Sequence, residues 1–143
     1  MDQDLVKEVK EIIDAGASAG SKESLGKVFE FIKAVSQENE DLKEELEDMD
    51  IKVQMVVTDA DIKFWLKAAE GLIDFGEGEI ESPSFTFSAS MEVASGMMIG
   101  EVDATSAYMA GDITVEGNLQ DAMAFQEILE LAMEAFEDYA EDL

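Results

Sequence analysis

The chain contains no cysteine and no histidine, and all nine of its basic residues are lysine. Each absence closes off a kind of chemistry. Without cysteine there are no disulfides, no thiolate nucleophile and no zinc–thiolate centre. Without histidine there is no side chain that ordinarily exchanges protons near neutral pH, and the commonest metal ligand is missing. Without arginine there is no planar fork for bidentate capture of phosphate or carboxylate. No glycine-rich phosphate loop and no nucleophile–base pair can be picked out. The expectation is a protein that is not an enzyme and carries no metal and no cofactor.

Thirty-five acidic residues face those nine lysines, a formal net charge of −26 over 143 residues. Such a chain is repelled at long range by nucleic acid and by anionic bilayers. The acid excess reads as a solvated surface or as adaptation to salt. Asp59 with Asp61, and Glu77 with Glu79 and Glu81, offer oxygen ligands, but their spacing is not that of an EF-hand and they read as solvated turns. The first residues, MDQDLVKEVKE, are charged and lack an apolar core of the signal-peptide kind. No apolar run is long enough to span a bilayer. The expected location is the cytoplasm, with no stable insertion into a membrane.

What is present is apolar periodicity. Leu5, Val6, Val9, Ile12 and Ile13 define a short helix over Asp4–Asp14. Ala15–Ser21 is small and glycine-containing, and predicts a flexible linker with the first helix loosely attached. The division expected is 1–21 as helix and linker and 22–143 as the main domain. Leu25, Val28, Phe29, Ile32 and Val35 mark a second helix from Ser24, whose acidic continuation to Asp48 is broken near Asn39. The period then changes to two. Ile51, Val53, Met55 and Val57 form one strand, and Ile62, Phe64, Leu66 and Ala68 a second, with a helix over Ile62–Leu72 as the alternative. Leu72–Ile80 and Ser84–Ser90 complete a four-strand meander. Two short capped helices follow over Met91–Ile99 and Ala104–Ala110, then a strand over Asp112–Glu116. Asn118 caps a long helix over Leu119–Glu141. The fold class expected is α+β: five strands, mainly antiparallel, covered on one face by helices.

From about Ser24 to Phe136 this order of elements resembles the sterol carrier protein 2 family. The last strand and its glycine frame, Gly111-Asp112-Ile113-Thr114-Val115-Glu116-Gly117-Asn118, are similar to that family's, and run straight into an amphipathic helix. So are the aromatic second strand at Phe64-Trp65-Leu66, the glycine-containing third at Gly76–Glu79 and the alternating fourth at Ser84–Ser90. The resemblance implies an apolar tunnel between sheet and helices, and binding and transfer of a sterol, fatty acyl chain or other lipid. It also allows an accessory or dimerising module that docks a second copy or a partner, and the acidic surface would then select a basic protein.

The inward faces supply the candidate ligand residues. The sheet offers Met55, Phe64, Phe85 and Phe87. The helices offer Phe29, Ile32, Met97, Met98, Tyr108, Met109, Phe125 and Leu129. Methionine is flexible and polarisable, which suits a wall that moulds to varied apolar ligands, and it suits an irregular core equally well. Trp65 falls on the opposite strand face between Lys63 and Lys67, with Lys52 beside them. Either the lysine stems pack over the indole, or the group forms a Trp–Lys patch that meets a partner or headgroup.

Overall fold

The computed structural model describes every residue, Met1–Leu143. The elements run α1 (Gln3–Ala15), α2 (Lys22–Glu38), α3 (Glu40–Glu47), β1 (Asp50–Val57), β2 (Ile62–Ala69), β3 (Leu72–Glu77), β4 (Phe85–Ala89), α4 (Met91–Met98), α5 (Ala104–Ala110), β5 (Ile113–Gly117) and α6 (Leu119–Glu141). The five strands form one sheet in the order β3-β2-β1-β4-β5. Three of its four pairings are antiparallel, and the β1–β4 pairing is parallel. The fold is therefore α+β with a mostly antiparallel sheet.

That parallel pairing corrects the expected four-strand meander. β1, β2 and β3 do form a meander, but the chain then returns across the sheet and lays β4 on the far side of β1. The crossing spans three strand spacings, about 14 Å. The seven residues 78–84 reach about 25 Å when extended, so the link is long enough. Side-chain hydrogen bonds hold it. Gln54, buried on β1, donates to the carbonyls of Phe64 and Gly78 and accepts from the Ile80 N–H at 2.8 Å. Ser84 accepts from the Lys52 N–H at 3.0 Å through its hydroxyl. Period-two alternation identifies a strand but not its neighbour, so the crossing had no signature in the pattern.

One face of the sheet is apolar. Met55 lies between Phe64 on β2 and Phe87 on β4, and Val53 lies between Leu66 and Phe85. α2 covers the β3–β2 side, where Phe29 stacks on Phe64 at 5.3 Å and on Phe75 at 5.8 Å. Phe31, on another side of α2, meets Phe136 and Tyr139 of α6 edge-on. α6 lies over β1, β4 and β5. Ser21 caps α2 in a reciprocal box with Ser24, and Asn39 ends α2 while capping α3. The break near Asn39 is thus a change of helix, with Leu42 and Leu46 of α3 still buried.

α1 was expected to hang loosely on its linker. Instead Leu5, Val6 and Val9 lie in the same core cluster as the sheet and α6. The linker forms a 3-10 turn over Ala17–Ala19. The Ala17 N–H donates to the Glu101 carboxylate at 2.7 Å, and a Cβ on Gly20 would overlap the Ser95 hydroxyl. Small residues here permit close docking against α4 rather than freedom. On the other face of the sheet, the Trp65 indole lies across Gly76, where a Cβ would sit 2.8 Å from Nε1.

Two glycines frame β5, and they differ. Gly111 has φ of 82° with nothing near its missing side chain. Gly117 has φ of 113°, and a Cβ there would come within 2.6 Å of the Ser84 carbonyl oxygen and 2.9 Å of the Phe85 Cα. Gly111→Ala should therefore cost only the left-handed backbone penalty, about 1–2 kcal/mol. Gly117→Ala should cost at least about 3 kcal/mol, because it also separates β4 from β5. Urea unfolding of the two variants checks this ordering.

Candidate functional site

An apolar cavity of about 310 Å³ opens between the β4–β5 end of the sheet and the helices α5 and α6. Its floor is Phe85 and Phe87 of β4 with Ile113 and Val115 of β5. Its walls are Met97 at the end of α4, Ala104, Thr105, Tyr108 and Met109 of α5, and Leu119, Ala122, Met123, Phe125, Gln126 and Leu129 of α6. Thirteen of the fifteen lining residues are hydrophobic, which separates this cavity from the polar clefts elsewhere on the molecule. A volume near 300 Å³ lies at the small end of ligand-binding pockets.

Local sequence explains why the helices stop short of filling it. Asp103 caps α5, accepting from the Ser106 N–H at 3.0 Å and its hydroxyl at 2.7 Å. Those bonds hold the Asp103 carboxyl below its ordinary pKa. α5 is only Ala104–Ala110 long, and Gly111 ends it in a left-handed cap. Only Ala107 of α5 is buried. α6 starts at the Asn118 cap, and its burial begins at Phe125. The residues of its first two turns, Leu119–Ala124, are exposed or half-buried. Their apolar side chains are therefore left without partners: Leu119 is 54% exposed and Met123 68%, facing Tyr108 at 44% and Met109 at 84% on α5. These four form an apolar rim. Single exposed apolar residues are ordinary on a protein surface, but a cluster at a cavity mouth marks a binding site.

Beneath the rim the cavity has an aromatic floor. Phe125 approaches Phe85 at 6.1 Å and Phe87 at 5.8 Å between ring centres. The only polar side-chain groups on the lining are the hydroxyls of Thr105 and Tyr108 and the Gln126 amide.

Of the twelve residues expected from sequence, the structure brings seven to this cavity: Phe85, Phe87, Met97, Tyr108, Met109, Phe125 and Leu129. The other five, Phe29, Ile32, Met55, Phe64 and Met98, are buried in the continuous core beside it. Eight lining residues were outside the expected set: Ala104, Thr105, Ile113, Val115, Leu119, Ala122, Met123 and Gln126. Ile113 and Val115 carried the alternation of a strand's inward face, and Leu119, Ala122 and Met123 the helical stripe. Thr105 and Gln126 carried no signal.

The remaining clusters are structural. Asp59 accepts the Met91 N–H at 2.9 Å, tying the β1–β2 turn to the start of α4. Glu79 pairs with Lys63 at 2.6 Å, which lowers the Glu79 pKa and raises that of Lys63. No group of three or more carboxylates is arranged to hold a metal ion. No helix is long and apolar enough to cross a membrane.

A family model described as the SCP-2 sterol transfer family matches residues 30–130. No curated protein sequence matches the chain. Several solved structures do. A ubiquinone synthesis protein, UbiJ-SCP2, superposes with a TM-score of 0.61 at 16% identity, covering 75% of this chain and 88% of its own. Apo sterol carrier protein 2 from Yarrowia lipolytica superposes with a TM-score of 0.60 at 18% identity, covering 75% and 90%. Palmitated SCP2L2 from Aedes aegypti gives a TM-score of 0.53 at 19% identity, covering 71% and 90%. At such identities the likeness is one of fold.

Cavity and core should separate on mutation. Met109→Gln and Met123→Gln should change stability by no more than about 0.5 kcal/mol, since little burial is lost. Phe29→Ala should cost about 3–5 kcal/mol through the void it leaves under α2. Chemical denaturation of the three variants measures the contrast.

Proposed function

The chain belongs to the SCP-2 sterol transfer family, and we propose that it binds a lipid or other apolar ligand, without chemistry, in the cavity framed by β4, β5, α5 and α6. The observation that supports this best is an apolar cavity whose rim residues stay exposed although they are methionine, leucine and tyrosine. Burying a ligand chain against them would contribute roughly 0.8 kcal/mol per methylene. Flexible Met97, Met109 and Met123 let the walls adjust to the occupant. Phe85, Phe87, Met97, Tyr108, Met109, Phe125 and Leu129 would touch the ligand. Phe29, Ile32, Met55, Phe64 and Met98 would hold the sheet and helices behind it. That the Aedes aegypti relative is palmitated supports an occupant with a long apolar chain. In this reading the protein carries its ligand through the cytoplasm and remains outside the bilayer.

A second reading is favoured by the exposure of Met109 and Met123, at 84% and 68%. The rim would then dock a second copy of the chain, or a basic partner drawn by the net charge of −26. Light scattering distinguishes it, because the dimer would dissociate in the Met109→Gln and Met123→Gln double variant.

The ligand reading predicts co-purified lipid in native mass spectra of gently prepared protein. Ala122→Phe, which places a ring in the cavity from α6, should reduce uptake of a fluorescent apolar probe at least about tenfold while the protein stays folded. Well-folded wild-type protein that is empty and takes up no probe would contradict it.

A further inference from the structure

The cavity is lined by a stretch of chain without a single cation. All nine lysines fall between Lys7 and Lys67, and from Ala68 to Leu143 the chain carries eighteen aspartates and glutamates and no lysine. Every residue lining the cavity lies between Phe85 and Leu129. The lysines sit on α1, α2, α3, β1 and β2. Those of β1 and β2 alternate with the buried residues and so point to the opposite face of the sheet. Where lysines pair with the acidic half, they do so at the β3 side, with Asp74, Glu77 and Glu79. β3 and β5 are opposite edges of the sheet.

The space beside the cavity makes the asymmetry sharper. A second cleft, of about 430 Å³, shares Met97 and Leu129 with the apolar cavity, and its walls carry Glu101, Asp103, Glu130, Glu134 and Glu137. A ligand whose head left the apolar cavity at that end would meet five carboxylates. Inside the cavity the polar side chains are two hydroxyls and one amide, all neutral. They can hydrogen-bond a hydroxyl, ester or ketone, but they cannot neutralise a carboxylate or phosphate.

Resting on the lipid-site reading above, we infer that the cavity selects an uncharged amphiphile and rejects anionic ones, free fatty acids included. Two effects act in the same direction. An anion seated among Met and Phe loses its water with no cation in compensation. An anion at the mouth is repelled by a field of one sign, which salt screens over about 10 Å at 0.1 M. A neutral head suffers neither, so the apolar tail alone decides its affinity.

The test uses a matched fluorescent pair, cis-parinaric acid and cis-parinaryl alcohol, which share a slender tail and differ at the head. Titrations into the intact protein at about pH 8 keep the acid ionised. The alcohol should bind at least about tenfold more tightly. The gap should narrow several-fold in 1 M salt, where the screening length falls to about 3 Å. It should also narrow in Thr105→Lys, which sets a cation on the exposed side of the cavity wall. Equal affinities, tighter binding of the acid, or a gap that neither salt nor the lysine alters would overturn the inference and leave the lipid site standing. Failure of both probes to bind would instead reject the lipid site itself.

Discussion

The fold depends on α2 being packed on more than one side. Phe29 fixes it to the sheet, and Phe31 fixes it to α6. α1, α3 and α4 pack against it as well. A helix held this way cannot shift without opening several interfaces together. By occupying the β3–β2 side of the sheet, it leaves α6 to cover β1, β4 and β5. α6 meets that task with its middle and later turns, from Phe125 onward, while the residues of its first two turns stay exposed or half-buried. The cavity is the consequence of that division of the sheet between two helices.

The same residue types therefore play two parts. Met55 and Met98 are packed on all sides within the core. Met109 and Met123, at the free ends of the helix layer, are mostly in water. Water contact with so much apolar surface is unfavourable for the isolated chain. A short α5, stopped by Gly111, leaves the gap that a longer helix would close.

Much of the fold was legible because burial imposes a period. Alternation at Ile51–Val57 and Ile62–Ala68, and the helical stripe from Leu119, fall on observed strands and on α6. Phe31 was missed because it lies off the single stripe drawn on α2, and a helix buried on several sides has no single stripe. The return of β4 to β1 was missed because it is enforced by side-chain hydrogen bonds that join Gln54 to Gly78 and Ile80, and Ser84 to Lys52, across 24 to 32 residues of chain. For the candidate site, inward-facing residues were readable but not which of them meet a void. Whether Met97 or Met98 borders the cavity depends on where α4 ends and α6 begins to bury itself, a tertiary fact with no local pattern.

Charge completes the account, since the lysines collect around α2 and the first two strands while the cavity half is wholly acidic. In the proposed function, the space under α5 and the first turns of α6 is where an apolar ligand sits. Methyl NMR of the nine methionines, during titration with an uncharged long-chain alcohol, tests it most directly. The resonances of Met97, Met109 and Met123 should move together and saturate, while those of Met49 and Met55 stay in place. Shifts centred on Met49 or Met55, or none at saturating alcohol, would contradict it.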